Sequence, residues 1–508
     1  MKKAALILIT ALIIFLPAVT YSQISYNPVS MGLGGGGTSY VTDYEALFTN
    51  PANLQLREKN YSLQITLGES GAYFDSPLRI RDGQDRIELF ANTLRTPKPG
   101  EYTFSGNERE LLLNRYYNNG RGFRQMQSGS VVNWLGIKWF GEEKSYAFAV
   151  RTRQSSRYSV GRGFYDSEPV EQGDFELINR SLTHRYQTLH EISFGYSESF
   201  SFLSGLFPRI SKFIIGLAPK VVVAGPGFST QYTNNYTRSQ ATDPWTREAS
   251  YSFKSSGIFT KYAEQLSSGA DPAEELGQIS GLNDLMSPTG IGAAIDLGIT
   301  YLFTFGDDLS LIRRGEEPTE KSLRLSFSIT DLGMLHTFEN PLTAERDTQV
   351  SENPAPGPLS DQYYAGALLQ DFSFLETDSN GAHPLQNLSS IDRESNETLL
   401  PTSLQTGILF QINRIKLMGD FRLGLTDNAF HSTKLTTYIG TEIRPLPFLP
   451  LRAGTRLATD LPGYYSFGAG LETSYFDINA AVQFRSTAAG PTLEPVAASA
   501  VAVKFYIP

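Results

Sequence analysis

Apolar and polar residues alternate one by one along several long segments of the chain. In HEISFGYSESFSF (190–202), isoleucine, phenylalanine and tyrosine occupy only even positions, while the odd positions hold glutamate, serine and glycine. Successive side chains of a strand point to opposite faces, so this period of two predicts strands with one apolar face. The same alternation recurs in 145–160, 291–305, 322–330, 414–425, 465–472 and 475–484, and in the final VAVKFYIP.

The length of these segments distinguishes two architectures. Strands of a soluble β-sandwich usually have about 5–6 residues, whereas a tilted membrane strand needs about 9–11. The alternating segments are long, their polar faces are rich in glycine and serine, and tyrosine or phenylalanine stands near their ends. These features are typical of membrane barrels. We therefore predict an all-β fold, an antiparallel transmembrane β-barrel of about 14 strands, with a soluble multi-domain β protein as the alternative.

Charged, proline-rich and helix-prone stretches interrupt the strands. They predict loop insertions at about 76–130, 257–286 and 335–398 within a barrel domain at 59–508. The first insertion contains two predicted helices, DRIELFANTL and NERELLLNRYY. Membrane barrels join their strands by short turns at one end and long loops at the other. We expect the insertions to be such long loops, with disorder as the alternative for 340–398.

The chain begins with the layout of a secretory signal peptide. A basic start, MKK, precedes the apolar run AALILITALIIFL, and a proline and small residues follow. The run is shorter than the roughly 20 residues that a spanning helix needs. Residues 1–22 are therefore predicted to be a signal peptide cleaved after Ser22, and the expected location is the bacterial outer membrane.

Composition narrows the classes of partner. The 508 residues include 43 Lys and Arg and 52 Asp and Glu, so the net charge is -9. An acidic chain without basic clusters predicts no nucleic-acid partner. The chain has no cysteine, which excludes disulfides and a lipoprotein anchor. The mean hydropathy of -0.23 suits a barrel whose polar lumen residues dilute the apolar ones.

A glycine cluster stands in SMGLGGGGTSYVTDYEALFTNPANL (30–54). Its glycines fit the G-x-G-x-x-G nucleotide fingerprint, but no apolar strand precedes them and no βαβ unit follows, as that site requires. Glycines allow tight turns close to a wall, and a proline holds the preceding residue extended. We predict that residues 23–58 form a plug inside the lumen, with a flexible lead-in to the first strand as the alternative. The predicted plug residues are Gly34, Gly35, Gly36, Gly37, Asp43, Asn50, Pro51 and Ala52.

The motif from Met31 to Leu54, a glycine cluster followed by DYEALF and NPANL, resembles the start of FadL-family outer-membrane channels for hydrophobic compounds. It is also similar to PorV-type barrels of the type IX secretion apparatus, and most similar to a Bacteroidetes-type barrel family of unknown function. The FadL resemblance implies passive uptake of a hydrophobic or amphipathic small molecule through a plugged lumen. The alternative is a non-transporting scaffold. The implied partners are outer-membrane lipid, a hydrophobic small molecule, and other outer-membrane or secretion proteins.

No motif predicts catalysis. The five histidines show no metal-binding spacing such as HExxH, so we expect no enzyme, no catalytic residue, no cofactor and no metal. Charged residues on the predicted strands are expected to face the lumen, and three arginines share one face of 145–160. They predict either a stripe that attracts anions or an ordinary polar barrel wall. The predicted lumen charges are Arg151, Arg153, Arg157 and Asp296.

Overall fold

The computed structural model describes the chain in twelve stretches. These stretches are 27–56, 58–75, 123–141, 143–164, 168–200, 210–267, 287–304, 321–352, 390–431, 433–458, 463–486 and 493–507. The predicted signal peptide and the two predicted helices of the first insertion lie outside the described residues.

The described residues form 21 strands. In chain order they are β1 (Leu63–Asp75), β2 (Phe123–Phe140), β3 (Lys144–Gly161), β4 (Val170–Gln172), β5 (Phe175–Asn179), β6 (Leu182–Phe200), β7 (Ile210–Ala224), β8 (Gly227–Arg238), β9 (Thr246–Ser256), β10 (Gly290–Thr304), β11 (Lys321–Thr337), β12 (Leu342–Glu352), β13 (Ser390–Asp392), β14 (Asn396–Leu399), β15 (Ser403–Ile412), β16 (Ile415–Gly424), β17 (Leu435–Leu446), β18 (Leu449–Ala458), β19 (Tyr464–Glu472), β20 (Phe476–Ser486) and β21 (Leu493–Ile507).

Helices are few and short in the described part of the chain. The α-helices are α1 (Pro28–Gly32) and α2 (Ile258–Ser267), and single 3₁₀ turns span Tyr44–Phe48, Pro51–Gln55 and Arg162–Phe164. None of these helices is long and apolar enough to cross a membrane.

Fourteen of the strands close into a barrel. β1 pairs antiparallel with β2 on one side and with β21 on the other, so the sheet returns to its start. The ring runs β1, β2, β3, β6, β7, β10, β11, β15, β16, β17, β18, β19, β20 and β21. This closed 14-strand antiparallel barrel confirms the predicted fold class. Its strands have from 9 residues in β19 to 19 in β6, enough to cross a bilayer when tilted.

The two faces of the barrel wall differ as the alternation predicts. On β6, Ile192 and Phe194 point outward and are 52% and 47% exposed, whereas Glu191 and Ser193 point inward and are fully buried. Other strands repeat this contrast, and exposed leucine, isoleucine, phenylalanine and tryptophan side chains cover the outer wall. An outward apolar band around a polar interior is the surface that a transmembrane barrel presents to lipid.

The two ends of the barrel carry different connections. At the end that holds Leu63 and Ile507, here called the turn end, two or three residues join β2–β3, β15–β16, β17–β18 and β19–β20, and the longer connections 201–209 and 305–320 join β6–β7 and β10–β11. At the opposite end, the loop end, β4 and β5 lie between β3 and β6, and β8, β9 and α2 lie between β7 and β10. Similarly, β12, β13 and β14 lie between β11 and β15.

The loop-end strands extend the barrel wall and correct the predicted insertion limits. β8 pairs with β5, with the first residues of β6 and with β9, and β9 pairs with β12. The predicted insertion at 76–130 ends earlier, because Phe123 already pairs with β3. The predicted insertion at 335–398 contains three strands. β12 pairs with β9, β13 pairs with β12, and β14 pairs with β11. Backbone pairing with distant strands outweighs the polar composition that predicted loops there.

Candidate functional site

Residues 27–56, here called the lumen segment, lie inside the barrel. Met31, Leu33, Tyr44, Leu47 and Leu54 are all fully buried. Each short helix begins at a polar cap: the side chains of Asn27, Asp43 and Asn50 accept backbone N–H groups of Val29, Glu45 and Ala52 respectively. Such local bonds satisfy donors that water cannot reach inside a barrel.

The glycine cluster makes a tight turn against the wall. Gly34 and Gly35 have φ values of 89° and 103°, which glycine adopts without steric cost. A Cβ at Gly36 would lie 2.8 Å from Met418 Cε. The wall also has glycines at this contact, since a Cβ at Gly440 would lie 2.8 Å from Leu33 O. The cluster therefore serves close packing against β16 and β17.

Asp420 on β16 holds the end of the glycine turn. Its Oδ2 accepts the N–H groups of Gly37 at 2.6 Å and Thr38 at 2.8 Å, and its Oδ1 accepts the Ser39 hydroxyl at 2.8 Å. Arg324 Nη1 donates to Ser39 O at 2.9 Å. The sequence predicted Asp420 to be a lumen carboxylate but did not link Asp420 or Arg324 to the lumen segment, because the residues that they bind lie more than 280 positions away in the chain.

The Asn50-Pro51-Ala52 motif lies against β7 and β10. The Asn50 side chain accepts Ala52 N–H at 3.2 Å and donates to Thr300 Oγ1 at 2.9 Å. Gly216 on β7 makes room for the motif, because a Cβ there would overlap the backbone of Pro51 and Ala52. The motif thus caps its own 3₁₀ turn and contacts the wall.

Beside this motif, the lumen segment makes an apolar contact with a wall of small residues. Leu47 and Leu54 are fully buried in one cluster with Ala147 and Ala218 of the wall. A Cβ at Gly195 would lie 2.8 Å from Leu54 Cδ1. This part of the lumen is apolar because small wall residues leave space that the leucines fill.

A network of six charges lies next to the apolar cluster. Lys220 Nζ contacts Asp296 Oδ2 at 2.7 Å and Asp331 Oδ1 at 2.5 Å. Arg153 forms a two-bond pair with Asp331 at 2.9 and 3.0 Å. The remaining two members are Arg151 and Glu191, which form an ion pair. Three cations face three carboxylates, so the network is neutral.

A bulge in β11 completes this network. Thr330 and Asp331 are consecutive, yet both side chains are buried in the lumen, and Asp331 has φ 58°. The strand pairing shifts at this point, opposite Asp296. A bulge redirects side chains in this way, and period-two reasoning could not detect it.

The predicted arginine stripe is divided between two sites. Arg151 and Arg153 belong to the six-charge network, whereas Arg157 pairs with Asp427 in the connection between β16 and β17, as does Arg185. Burial opposes ionisation of Asp427, but the two guanidinium groups outweigh it and hold the pKa of Asp427 below its usual range. Each of the three predicted arginines therefore faces a carboxylate.

Substitution of Lys220 by methionine is expected to destabilise the folded barrel by about 3–5 kcal/mol, because two carboxylates are left buried with an incomplete set of cations. The measurement is the free energy of unfolding by urea in lipid vesicles. Lys254→Met removes an exposed lysine of β9 and is the matched control. Equal stabilities of the two variants would contradict this reading of the network.

A second charged network lies at the turn end. Arg452 donates to Glu442 Oε2 at 2.7 Å and to Glu472 Oε1 at 2.6 Å, and Arg444 binds the same two carboxylates. Beside it, Lys504 forms an ion pair with Asp43 of the lumen segment. The cavity between these groups measures about 60 Å³, far below the ~300 Å³ of the smaller ligand pockets.

Residues 88–482 match the model of a family described as a family of unknown function (DUF5723). The match covers more than half of the chain. The protein belongs to this family. The predicted relation to a family of unknown function is thereby confirmed. The DUF5723 match runs from before β2 into β20, so the lumen segment, β1 and β21 lie outside the matched residues.

Solved structures of FadL-family hydrocarbon channels are similar to this DUF5723 member over nearly all of its length. The "TodX deltaS2S3 mutant monoaromatic hydrocarbon channel" is 13% identical, covers 95% of this chain and 98% of its own, and has a TM-score of 0.43. The Pseudomonas putida toluene transporter TodX is 11% identical over 96% and 99%, with a TM-score of 0.41. At these scores the likeness adds nothing to the strand pairing that defines the barrel. No curated protein matches the chain.

The described part of this family member contains no group of three or more His, Asp or Glu side chains placed to hold a metal ion. Its buried His431, in the connection after β16, has a pKa lowered to about 4 because burial disfavours the charged ring. The Pro401 carbonyl lies 2.6 Å from His431 Nε2. This histidine is a neutral packing residue at the loop end.

Proposed function

We propose that the protein is an outer-membrane barrel that takes up a hydrophobic or amphipathic small molecule past a movable plug, the lumen segment. The observation that carries the proposal is the apolar contact between Leu47, Leu54 and the small residues of the wall. If the segment moves, that contact becomes an apolar hollow in the lumen, next to the six-charge network. An apolar solute partitions into such a hollow, whereas ions and sugars do not.

The placement in the membrane rests on the barrel itself. The exposed apolar outer wall fits a bilayer, and mostly short turns at one end with longer connections at the other are the pattern of outer-membrane barrels. By that pattern the turn end faces the periplasm and the loop end faces outward. The predicted signal peptide agrees with this export route.

The contacts of the plug suit movement. Thr300 holds it through a neutral hydrogen bond, which contributes only about 0.5–1.5 kcal/mol net. The bonds to the Asp420 carboxylate are stronger, about 1.5–3 kcal/mol each, but they too are non-covalent. The chain has no cysteine, so no disulfide ties the segment to the wall. Displacement therefore needs no broken covalent bond.

A cysteine pair tests whether movement is required. Thr300 Oγ1 lies 2.7 Å from Asn53 Oδ1, so Asn53→Cys and Thr300→Cys place one thiol on the plug and one on the wall. With no native cysteine, this pair is the only one in the chain. We expect the oxidised variant to reduce entry of N-phenyl-1-naphthylamine into cells to the level of cells lacking the protein, and dithiothreitol to restore it.

The single variants Asn53→Cys and Thr300→Cys are the matched controls, because each disturbs the same hydrogen bond without a cross-link. Mass spectrometry establishes that the disulfide has formed. Dye entry that stays at the wild-type rate in the fully oxidised pair would show that the plug need not move. Wild-type entry no faster than in cells lacking the protein would remove the uptake proposal altogether.

A second candidate is a scaffold that binds other outer-membrane or secretion proteins. The observation that favours it is the wall extension at the loop end, where β8, β9 and β12 form a sheet beyond the barrel. Native mass spectrometry of the protein from outer membranes separates the candidates. A bound small molecule supports uptake, and a stoichiometric protein partner on a ligand-free barrel supports the scaffold.

A further inference from the structure

The loop end carries an open hollow that the uptake proposal does not use. It lies at the tip of the β8–β9 hairpin, beside the start of β5, and its volume is about 520 Å³. This size falls within the range of small-molecule sites, ~300–1,000 Å³. The lining residues that matter here are Phe175, Thr237, Arg238, Ser239, Asp243 and Thr246.

Phe175 supplies an accessible aromatic face. It is the first residue of β5 and is 41% exposed. β5 pairs with β8 rather than with a barrel strand, and Glu176 lies opposite Arg238 in that pairing. An exposed phenylalanine at a hollow with polar walls is a common anchor for a ligand.

Arg238 is held in place at the other side of the hollow. Its Nε forms an ion pair with Glu176, its Nη1 donates to Ala241 O at 2.8 Å, and its guanidinium lies 4.4 Å from the Trp245 ring centre. In the described part of the chain its Nη2 has no hydrogen-bond partner. A planar donor fixed from three directions loses little entropy when it binds a ligand hydroxyl.

The remaining polar groups define the charge of the ligand. Asp243 adds a carboxylate, and Thr237, Ser239 and Thr246 add hydroxyls at the rim. With Glu176, two carboxylates accompany the single Arg238 cation. An anionic ligand would be repelled, and a purely apolar one would leave these groups without partners.

We propose that this hollow binds a neutral sugar ring. The C–H face of a pyranose stacks on an aromatic ring such as Phe175, while its neighbouring hydroxyls both donate and accept. Asp243 accepts and Arg238 donates, which are the two roles that sugar hydroxyls complement. The site lies at the outward end, and it is separate from the plug and its contacts.

Saturation-transfer NMR on the full-length protein tests the proposal. The protein is kept in a detergent without a sugar headgroup, such as lauryldimethylamine oxide, because maltoside detergents would compete for the site. The probes are glucose, galactose, mannose and N-acetylglucosamine at millimolar concentration. We expect transfer to the ring protons of at least one of them, and displacement of that sugar by dodecyl maltoside or by its own oligomers.

Variants locate the binding. Phe175→Ala is expected to weaken the affinity for the sugar at least about tenfold, Phe175→Trp to retain it, and Asp243→Asn to weaken it. Tyr475→Ala removes a 68% exposed aromatic ring at the turn end and is the matched control. All these residues are at the surface, so the variants are expected to fold, and heat-modified mobility on gels checks this.

Two results would overturn the proposal. The first is no saturation transfer to any of the four sugars at about 20 mM, a concentration that detects even millimolar affinity. The second is equal transfer to the sugar from the wild-type protein and from Phe175→Ala. The source of the sugar is decided by adding lipopolysaccharide micelles. If they compete with the free sugar, the site recognises lipid-borne sugars, and if only free oligosaccharides compete, it recognises soluble ones. Either result keeps the sugar ring as the ligand.

Discussion

Substitution of Gly216 by leucine is expected to expel the lumen segment while leaving the barrel folded. Gly216 faces inward on β7, and a Cβ there would overlap the backbone of Pro51 and Ala52. Because backbone cannot rotate away as a side chain can, the whole 3₁₀ turn Pro51–Gln55 must move away from β7. The leucine then fills part of the vacated apolar hollow. We expect protease cleavage within residues 27–56 to be at least about tenfold faster than in wild type, equivalent to ~1.4 kcal/mol.

Gly419→Leu is the matched control for this substitution. Gly419 lies on β16, and a Cβ there would meet nothing within 4 Å. Both variants add the same side chain to a barrel strand, but only Gly216→Leu adds it against the lumen segment. Limited proteolysis with mass spectrometry measures the result. Equal cleavage rates in the two variants would mean that packing of Pro51 and Ala52 against Gly216 is not what holds the lumen segment in place.

The second large effect is expected from Asp420→Ala. Three donors of the glycine turn, two N–H groups and the Ser39 hydroxyl, converge on this carboxylate. A buried donor left without an acceptor costs about 1–3 kcal/mol. The displaced state of the plug should therefore become about a hundredfold more populated, and hydrogen exchange of the peptide containing Gly37 and Thr38 should speed up accordingly.

Asp420→Asn and Glu397→Ala accompany this variant. Asparagine keeps one acceptor oxygen and should give an intermediate exchange rate, whereas Glu397 is an exposed carboxylate at the loop end and its loss should change nothing. If hydrogen exchange at Gly37 and Thr38 stays as slow in Asp420→Ala as in wild type, water replaces the carboxylate without loss of stability. In combination with the dye assay, these variants also separate plug release from uptake, because a released plug without faster dye entry would argue for the scaffold.

The local sequence was enough to predict the two faces of the alternating strands and the tight turns of the lumen segment. Alternation over 190–202 predicted the two faces of β6, since side-chain direction in a strand depends only on neighbouring residues. The glycine run and Asn50-Pro51 predicted a segment of tight turns, because backbone freedom and side-chain capping act within a few residues. The strand total of about 14 came from a count of roughly 13 to 16 predicted strands, together with the even number expected of bacterial single-chain barrels.

The tertiary structure alone decided which distant groups meet. Lys220, Asp296 and Asp331 come from three neighbouring strands, and a bulge with a positive φ at Asp331 turns its carboxylate into the lumen. A one-residue shift in register would send each of these side chains to the lipid face. The same holds for Asp420, whose role as acceptor for the glycine turn depends on barrel closure. Sequence periodicity indicates which face a residue takes, but it does not show which strands pair or how the sheet closes, because both depend on contacts between residues far apart in the chain.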